Sequence, residues 1–370
     1  MNELQKLRIL SRLSTFERDG DVDLERCIYM ASTPKGRVPI LKVMQTTMCD
    51  KNCLYCIFRR DREHTPRIYI PPEQLAKSFI ELYKKGLVKG LFLSSGIFGN
   101  AEFTMEKMID TAKILREKYD FKGYIHLKLM PGVSLQTVED AVRLADRVSI
   151  NIETSKEERL KKIAKGKSIL NDMLPKIEFV NRLLQNYRGK SQITQIMVGV
   201  DEEKDEEIIN VVHFLHKKYR LSRVYFSAFY PIQRTPLENK LPENPAREFR
   251  LYQIDFLIRD YGFSLEDIRK ILVNGNLPLD KDPKEAWALL NWDLFPIELN
   301  TADYHLLIRV PGIGKSTAKE IIRRRRERKL TSPEDLKGII NQKKILNYTT
   351  LGGRYYGEKQ NAIRYFMGRL

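Results

Sequence analysis

Three cysteines, Cys49, Cys53 and Cys56, fall within eight positions in the stretch "TTMCDKNCLYC", in a chain of 370 residues that has only four. The spacing is C-x3-C-x2-C. Three thiolates can hold three irons of a [4Fe–4S] cluster and leave the fourth iron open to a substrate or cofactor. A zinc ion would want a fourth ligand, for which His64 and Cys27 are available. As plain buried thiols the three would be oddly placed, because Asp50, Lys51 and Asn52 make a poor core pattern. These readings stay open on the residues alone. A disulfide framework is a poor fit to four cysteines in 43.4 kDa.

The elements around the cysteines follow a repeating pattern. "VPILKVMQT" reads as a buried strand that ends just before them. "PPEQLAKSFIELYKKG" reads as a helix with Pro at its start and Gly at its end. Alternation continues with "LVKGLFLSSG", "TMEKMIDTAKILREKY", "GYIHLKLM", "SLQTVEDAVRLA" and "DRVSINIE". A long helical region then runs through Leu184, followed by "SQITQIMVGV", "DEEIINVVHFLHKKY" and "LSRVYFSAFYP". Six strands separated by helices predict a parallel sheet. The expected fold class is α/β, a partial (β/α)6 TIM-like barrel, with an open doubly wound sheet as the competing form. In either, ligands bind at the carboxyl ends of the strands. The cysteines lie on the first loop at that end. Candidates on the same rim are Ser94, Ser95 and Gly96 after the second strand, and His126 and Lys128 on the third. Asn151 and Glu153, two apart and so on one strand face, come from the fourth.

A second informative stretch is "IELNTADYHLLIRVPGIGKSTAKEIIRRRRERK". It reads helix, "PGIG" turn, helix, with the first helix capped by Asn300 or Thr301. Gly312 and Gly314 flank Ile313 and leave backbone N–H groups open at a helix start, which is where a phosphate binds. Lys315, Lys319 and Arg323 add positive charge. The tail mixes Tyr348, Tyr355, Tyr356 and Tyr365 with Arg354, Arg364 and Arg369, which suits stacking on nucleic acid or packing equally. The chain carries a formal charge of +17, and +9 of it falls between Ile297 and Leu370, with 16 Lys or Arg against 7 Asp or Glu. That balance points to a polyanionic partner.

The sequence divides into an N-terminal extension (1–40), the partial barrel (41–238), a helical connector (239–296) and an all-α C-terminal domain (297–370). Its N-terminus is too broken by charge for a secretory signal, and no apolar window suits a membrane helix. The expectation is a cytoplasmic protein with no membrane association.

The motif C-x3-C-x2-C, with Tyr55 before the last cysteine and set on the loop after the first strand, resembles that of the radical S-adenosylmethionine (radical SAM) superfamily. The stretch "LNTAD…L…VPGIGKSTAKEII" resembles a helix-hairpin-helix motif, which grips DNA backbone phosphates. Together they resemble radical SAM proteins with a C-terminal helix-hairpin-helix, assigned to DNA modification or repair. The resemblance implies a [4Fe–4S] cluster ligated by Cys49, Cys53 and Cys56, and S-adenosylmethionine on the open iron. Tyr55, Ser94, Ser95, Gly96, Lys128, Asn151 and Glu153 are its candidate cofactor contacts, although the family's Gly-Gly-Glu is replaced here by "LSSG". It implies DNA held at Gly312, Ile313, Gly314, Lys315, Lys319 and Arg323, and an electron donor such as ferredoxin or flavodoxin. Cys27 and Tyr225 are candidate hydrogen-atom donors. The alternatives are a radical SAM enzyme acting on RNA, and a non-catalytic DNA-binding protein whose cysteines hold zinc.

Overall fold

The computed structural model describes residues 3–16, 28–33 and 36–358. The chain forms two units, one of residues 1–203 and 214–244, the other of residues 204–213 and 245–370.

In chain order the first elements are α1 (Glu3–Phe16), β1 (Ile28–Thr33), β2 (Gly36–Met44), α2 (Pro72–Lys84), β3 (Gly90–Ser94), α3 (Ala101–Lys113) and β4 (Tyr124–Lys128). They continue with α4 (Leu135–Leu144), β5 (Arg147–Ser149), α5 (Glu157–Ile163), α6 (Leu174–Leu184), β6 (Ser191–Val198), α7 (Asp205–Tyr219) and β7 (Arg223–Ala228). The seven strands make one sheet in sequence order, β1 to β7. β2 to β7 are parallel, as their alternation with helices predicts. β1 was not anticipated. It lies antiparallel on β2 (Tyr29 opposite Ile40), in a segment whose sequence has little alternation to read.

The sheet has two distinct faces because successive side chains alternate. Leu41, Val43, Leu91, Leu93, Ile125 and Leu127 all have 0% exposure and form the helix-covered face. Each such side chain contributes about 1.5–3 kcal/mol by leaving water. α2 buries Leu75, Ala76 and Phe79. Asn100 caps α3 by accepting the Phe103 N–H, and Ser134 caps α4 by accepting that of Thr137. The long helix expected through Leu184 is broken instead. α5 ends at Ile163, Gly166 takes φ +84°, and a π-helical turn (Ile169–Met173) leads into α6.

The second unit continues with α8 (Pro245–Tyr261), α9 (Leu265–Arg269), α10 (Pro283–Leu290), β8 (Ile297–Glu298), α11 (Tyr304–Leu307), α12 (Lys315–Glu327), α13 (Gln342–Leu346), β9 (Thr349–Leu351) and β10 (Arg354–Tyr355). It is helical, with one addition to the expected all-α pattern: β8, β9 and β10 form a small sheet. Strands of two or three residues carry no readable period. The Glu298 carboxylate ties this sheet together by accepting from Asn300, Thr350, Gly352 and Gly353. No helix among the described residues is long and apolar enough to cross a membrane.

Candidate functional site

The cysteines sit on the segment joining β2 to α2, which has no helix or strand to satisfy its backbone. Such a segment must find partners for its carbonyls elsewhere. Arg67 supplies most of them. Its guanidinium donates to the carbonyls of Thr47 (3.0 Å), Phe58 (2.9 Å), Arg59 (2.6 Å), Arg60 (3.1 Å) and Arg62 (3.0 Å). Thr47 Oγ1 closes the base of the loop by donating to Pro66 and accepting from the Ile68 N–H. Within this frame Cys53 is buried, Cys49 and Cys56 are half-buried, and all three are free thiols. Cys56 Sγ accepts the Phe58 N–H at 3.4 Å. Among the described residues no three His, Cys, Asp or Glu side chains close around a single ion's position. His64 is exposed, and Cys27 lies outside the described residues.

The turn after β3 is bonded directly to the cysteine loop. Gln45 N–H donates to Ser94 O (2.8 Å), Gly96 N–H to Thr46 O (2.8 Å) and Asp50 N–H to Ile97 O (2.7 Å). A Cβ at Gly96 would overlap the Met48 carbonyl and reach 3.1 Å from Cys49 Cβ. Glycine is therefore required by close approach. Beside it, Ser95 Oγ is buried with no hydrogen-bond partner among the described residues.

Asn151 and Glu153 do not share a strand face as expected, because β5 ends at Ser149 and Glu153 takes φ +66°. That left-handed residue breaks the two-residue period. Asn151 instead bonds Gln195 Oε1 at 3.4 Å. The Glu153 backbone bridges β6, its N–H donating to Gln195 O and its carbonyl accepting from Met197 N–H. Its carboxylate turns to Lys167 at 3.4 Å, and Lys167 Nζ bonds Tyr55 Oη at 3.3 Å. Burial pushes the Tyr55 hydroxyl well up, helped by the Glu153 charge. Burial opposes charging Lys167, but Tyr55 and Glu153 hold it well above the ordinary lysine value. A neutral phenol and a buried ion pair thus meet beside Cys56. Lys167 was missed from the sequence. It lies in an ordinary basic turn, 112 residues from Tyr55.

Lys128 ends β4 on the same face as His126 and Tyr124, opposite the helix-covered Ile125 and Leu127. His126 stacks on Phe92 with ring centroids 4.2 Å apart. Tyr225 on β7 lies under the Arg223 guanidinium, 4.8 Å from its ring centroid.

The "PGIG" hairpin joins α11 to α12. Its first helix is capped by Asp303, which accepts the Leu306 N–H at 2.7 Å, not by Asn300 or Thr301. Asn300 is engaged elsewhere, exchanging bonds with Leu330. Gly312 takes φ +88°, and a Cβ there would sit 3.1 Å from Ile345 Cγ1. The Ile313 carbonyl accepts from Lys284 Nζ at 2.5 Å. The start of α12 is also occupied. Lys315 Nζ pairs with Asp260 at 2.6 Å, its backbone N–H bonds the Tyr261 hydroxyl, and that hydroxyl lies 3.4 Å from where a Cβ on Gly314 would be. Arg323 pairs with Glu320 and Glu327. Arg324 and Arg325 donate to backbone carbonyls of their own unit. Lys319 is exposed, with no ion pair among the described residues. Arg364, Tyr365 and Arg369 lie outside the described residues.

Residues 43–215 match the family model described as the radical SAM superfamily, and residues 296–342 match the helix-hairpin-helix motif. The chain thus carries a radical SAM segment and a C-terminal helix-hairpin-helix motif, and the cofactors that radical SAM proteins use are a [4Fe–4S] cluster and S-adenosylmethionine. Among solved structures it is similar to a HydG maturase of the [FeFe]-hydrogenase, at 14% identity over 58% of this chain and 49% of that one, with a TM-score of 0.47. The HydG of Carboxydothermus hydrogenoformans gives 14% identity over 75% and 74% of the two chains, with a TM-score of 0.48. Methylornithine synthase (PylB) gives 16% over 70% and 67%, with a TM-score of 0.48. The chain thus spans about half the length of the first of these. No curated protein sequence matches it.

The residues present fit the two cofactors. Free thiols stand on a preformed loop, a side-chain-free position at Gly96 adjoins Cys49, and Ser95 Oγ, Thr154 Oγ1 and Ser155 Oγ are buried without partners among the described residues. Orphaned buried hydroxyls ask for a ligand.

Proposed function

We propose that this chain is a radical SAM enzyme that acts on a base in DNA, with Cys49, Cys53 and Cys56 holding its [4Fe–4S] cluster. The observation that carries the cofactor half is the bonding of the Ser94–Gly96 turn to the cysteine loop at Thr46 and Asp50. When bound and reduced, the cluster and S-adenosylmethionine supply a 5′-deoxyadenosyl radical for hydrogen abstraction. The chain's own work is positional. Arg67 fixes the loop, and Gly96 leaves room above Cys49. Ser95 Oγ, Asn151 and the buried Tyr55–Lys167–Glu153 group present polar contacts and exclude water. A module of residues 41–238 carries this site.

The DNA half rests on the hairpin motif of residues 296–342 and the +9 charge around it. Lys315, Lys319 and Arg323, spaced four apart on α12, would follow a phosphate backbone, with Gly312, Ile313 and Gly314 at its N-terminal end. A base within a duplex must be extruded to reach a barrel mouth. A ferredoxin- or flavodoxin-type protein would deliver the electron.

A second reading is favoured by a specific contact. Asp260 and Tyr261 already hold the start of α12, so the hairpin also serves as a packing element. Anaerobic reconstitution tests both halves. Brown protein with about four irons and 5′-deoxyadenosine release accelerated by duplex or single-stranded DNA supports the proposal. Colourless protein with zinc defeats the cofactor half, and acceleration by tRNA alone defeats the DNA half.

A further inference from the structure

The six parallel strands β2 to β7 contain no Asp or Glu, yet they contain Arg37, Lys42, Lys128, Arg147 and Arg223. Four of these cations fall on one face. The helix-covered face takes Leu41, Val43, Leu127, Val148 and Val224, all at 0–2% exposure. The alternate positions take Lys42, Lys128, Arg147 and Arg223. Strand register arranges them in layers. Lys42, Phe92, His126 and Arg147 are successive neighbours across β2 to β5. One step nearer the cysteine loop, Lys128 adjoins Ser149, Ser149 adjoins Ile193, and Ile193 adjoins Arg223.

Lys128 and Arg147 on this face are half-buried. Among the described residues no carboxylate pairs with Lys128 or Arg147. Arg147 bonds Ser191 Oγ at 2.9 Å and lies over the Tyr124 ring at 6.0 Å. His126 is 6% exposed, and its Nε2 has no hydrogen-bond partner among the described residues. Ser149 is 3% exposed, and its Oγ is likewise unpartnered among those residues. His126 is held well below the ordinary histidine value by burial, then by the charges of Arg147, Lys128 and Lys42. Those cations therefore act on one point, where among the described residues no carboxylate pairs with Lys128 or Arg147.

We propose that this inner face is a substrate site for a phosphate group, held by Lys128 and Arg147, with His126 Nε2 and Ser149 Oγ completing its contacts. The inference rests on the barrel being the reaction chamber of a radical enzyme. It deepens the nucleic-acid reading by assigning the substrate's anionic group a place beneath the cofactor loop. Lys128, taken from the sequence as a cofactor contact, is thereby assigned to the substrate. A guanidinium presents paired donors suited to phosphate oxygens, and a lysine adds a point charge. A polynucleotide and a free nucleotide both carry this phosphate, and the test separates them.

The test uses the full-length, anaerobically reconstituted holoenzyme. Equilibrium ultrafiltration with the four deoxynucleoside 5′-monophosphates and the four deoxynucleosides measures the phosphate preference. Retention of monophosphates at least tenfold above nucleosides is expected, and the preference should collapse in Lys128→Gln/Arg147→Gln. Lys128→Arg should restore part of it, which guards against a fold defect, with iron content and circular dichroism as controls. Equal retention of nucleosides and monophosphates overturns the site, as does an unaltered preference in the double variant of native iron content. If monophosphates bind as expected while no oligonucleotide accelerates 5′-deoxyadenosine release, the anion site stands and the DNA reading falls.

Discussion

The cysteine loop and the hairpin turn are both short irregular segments that place backbone beside glycine at the start of something functional. They differ in what is left over. In the first, a single arginine absorbs five carbonyls, three cysteines stand outside any disulfide, and the buried hydroxyls of Ser95, Thr154 and Ser155 have no partner among the described residues. In the second, most of the groups that a phosphate would use are already engaged, Lys319 excepted. Lys315 is paired to Asp260, its N–H to Tyr261, and Arg323 to Glu320 and Glu327. A segment that satisfies itself internally is a packing solution first, and a segment that satisfies its frame but not its centre is a ligand site. A motif's presence and a motif's availability are separate facts.

The largest effect should come from the open segment. Cys53→Ala should remove the cluster and lower S-adenosylmethionine cleavage by about a thousandfold or more while sparing oligonucleotide binding, read by iron content and 5′-deoxyadenosine release. Next, Gly96→Ala should force the β3 turn from the Met48 carbonyl. We expect a loss of about 1–3 kcal/mol in stability together with reduced iron loading, measured by thermal melting and metal analysis. Lys167→Met strands the Glu153 charge. The cost should reach about 3 kcal/mol, and Lys167→Met/Glu153→Gln should recover most of it.

Smaller effects test the closed segment. Asp260→Asn frees Lys315, so DNA affinity should rise several-fold and the salt slope should steepen by about 0.9 per phosphate gained. An unchanged affinity would assign the hairpin to packing alone. The smallest effect concerns Lys284, whose Nζ is bonded to Ile313 O inside the hairpin. Burial pushes it down to about 7. The unfolded chain then binds more protons than the folded one between about pH 7 and the ordinary lysine value. Stability contributed by this site therefore rises with pH across that window and falls away as pH drops toward 7. Thermal melting of the wild type should show that rise, and Lys284→Met should flatten it.

The parallel half of the fold was legible because six apolar runs alternate with helices whose caps and breakers are conventional. β1 and the strands β8 to β10 were not, since short hairpin and bridge strands carry no period. For the site, the cysteines and the Ser94–Gly96 turn could be placed from topology alone. Glu153 was found for a wrong reason. Its alternation with Asn151 fails at a left-handed backbone position, and its relevance comes from Lys167, which no local pattern marks. Arg67 was equally invisible, because an arginine that satisfies carbonyls looks in sequence like any surface cation. Gly312 was legible in part. The sequence offers it both as a tight-turn residue and as a bare amide for phosphate, and its positive φ and the nearby Ile345 bear on the first of these.

The Arg67 clasp has a consequence for how the enzyme acquires its cofactors. A loop whose carbonyls are gathered by one side chain loses its conformational freedom during folding, before any ligand arrives. Loading should then be a docking event on a finished surface, with only a small heat-capacity change and little gain in protease resistance. In Arg67→Ala the same loading would have to order the chain as well. Its calorimetric signature should become that of coupled folding, and slow, incomplete maturation would be its outward sign.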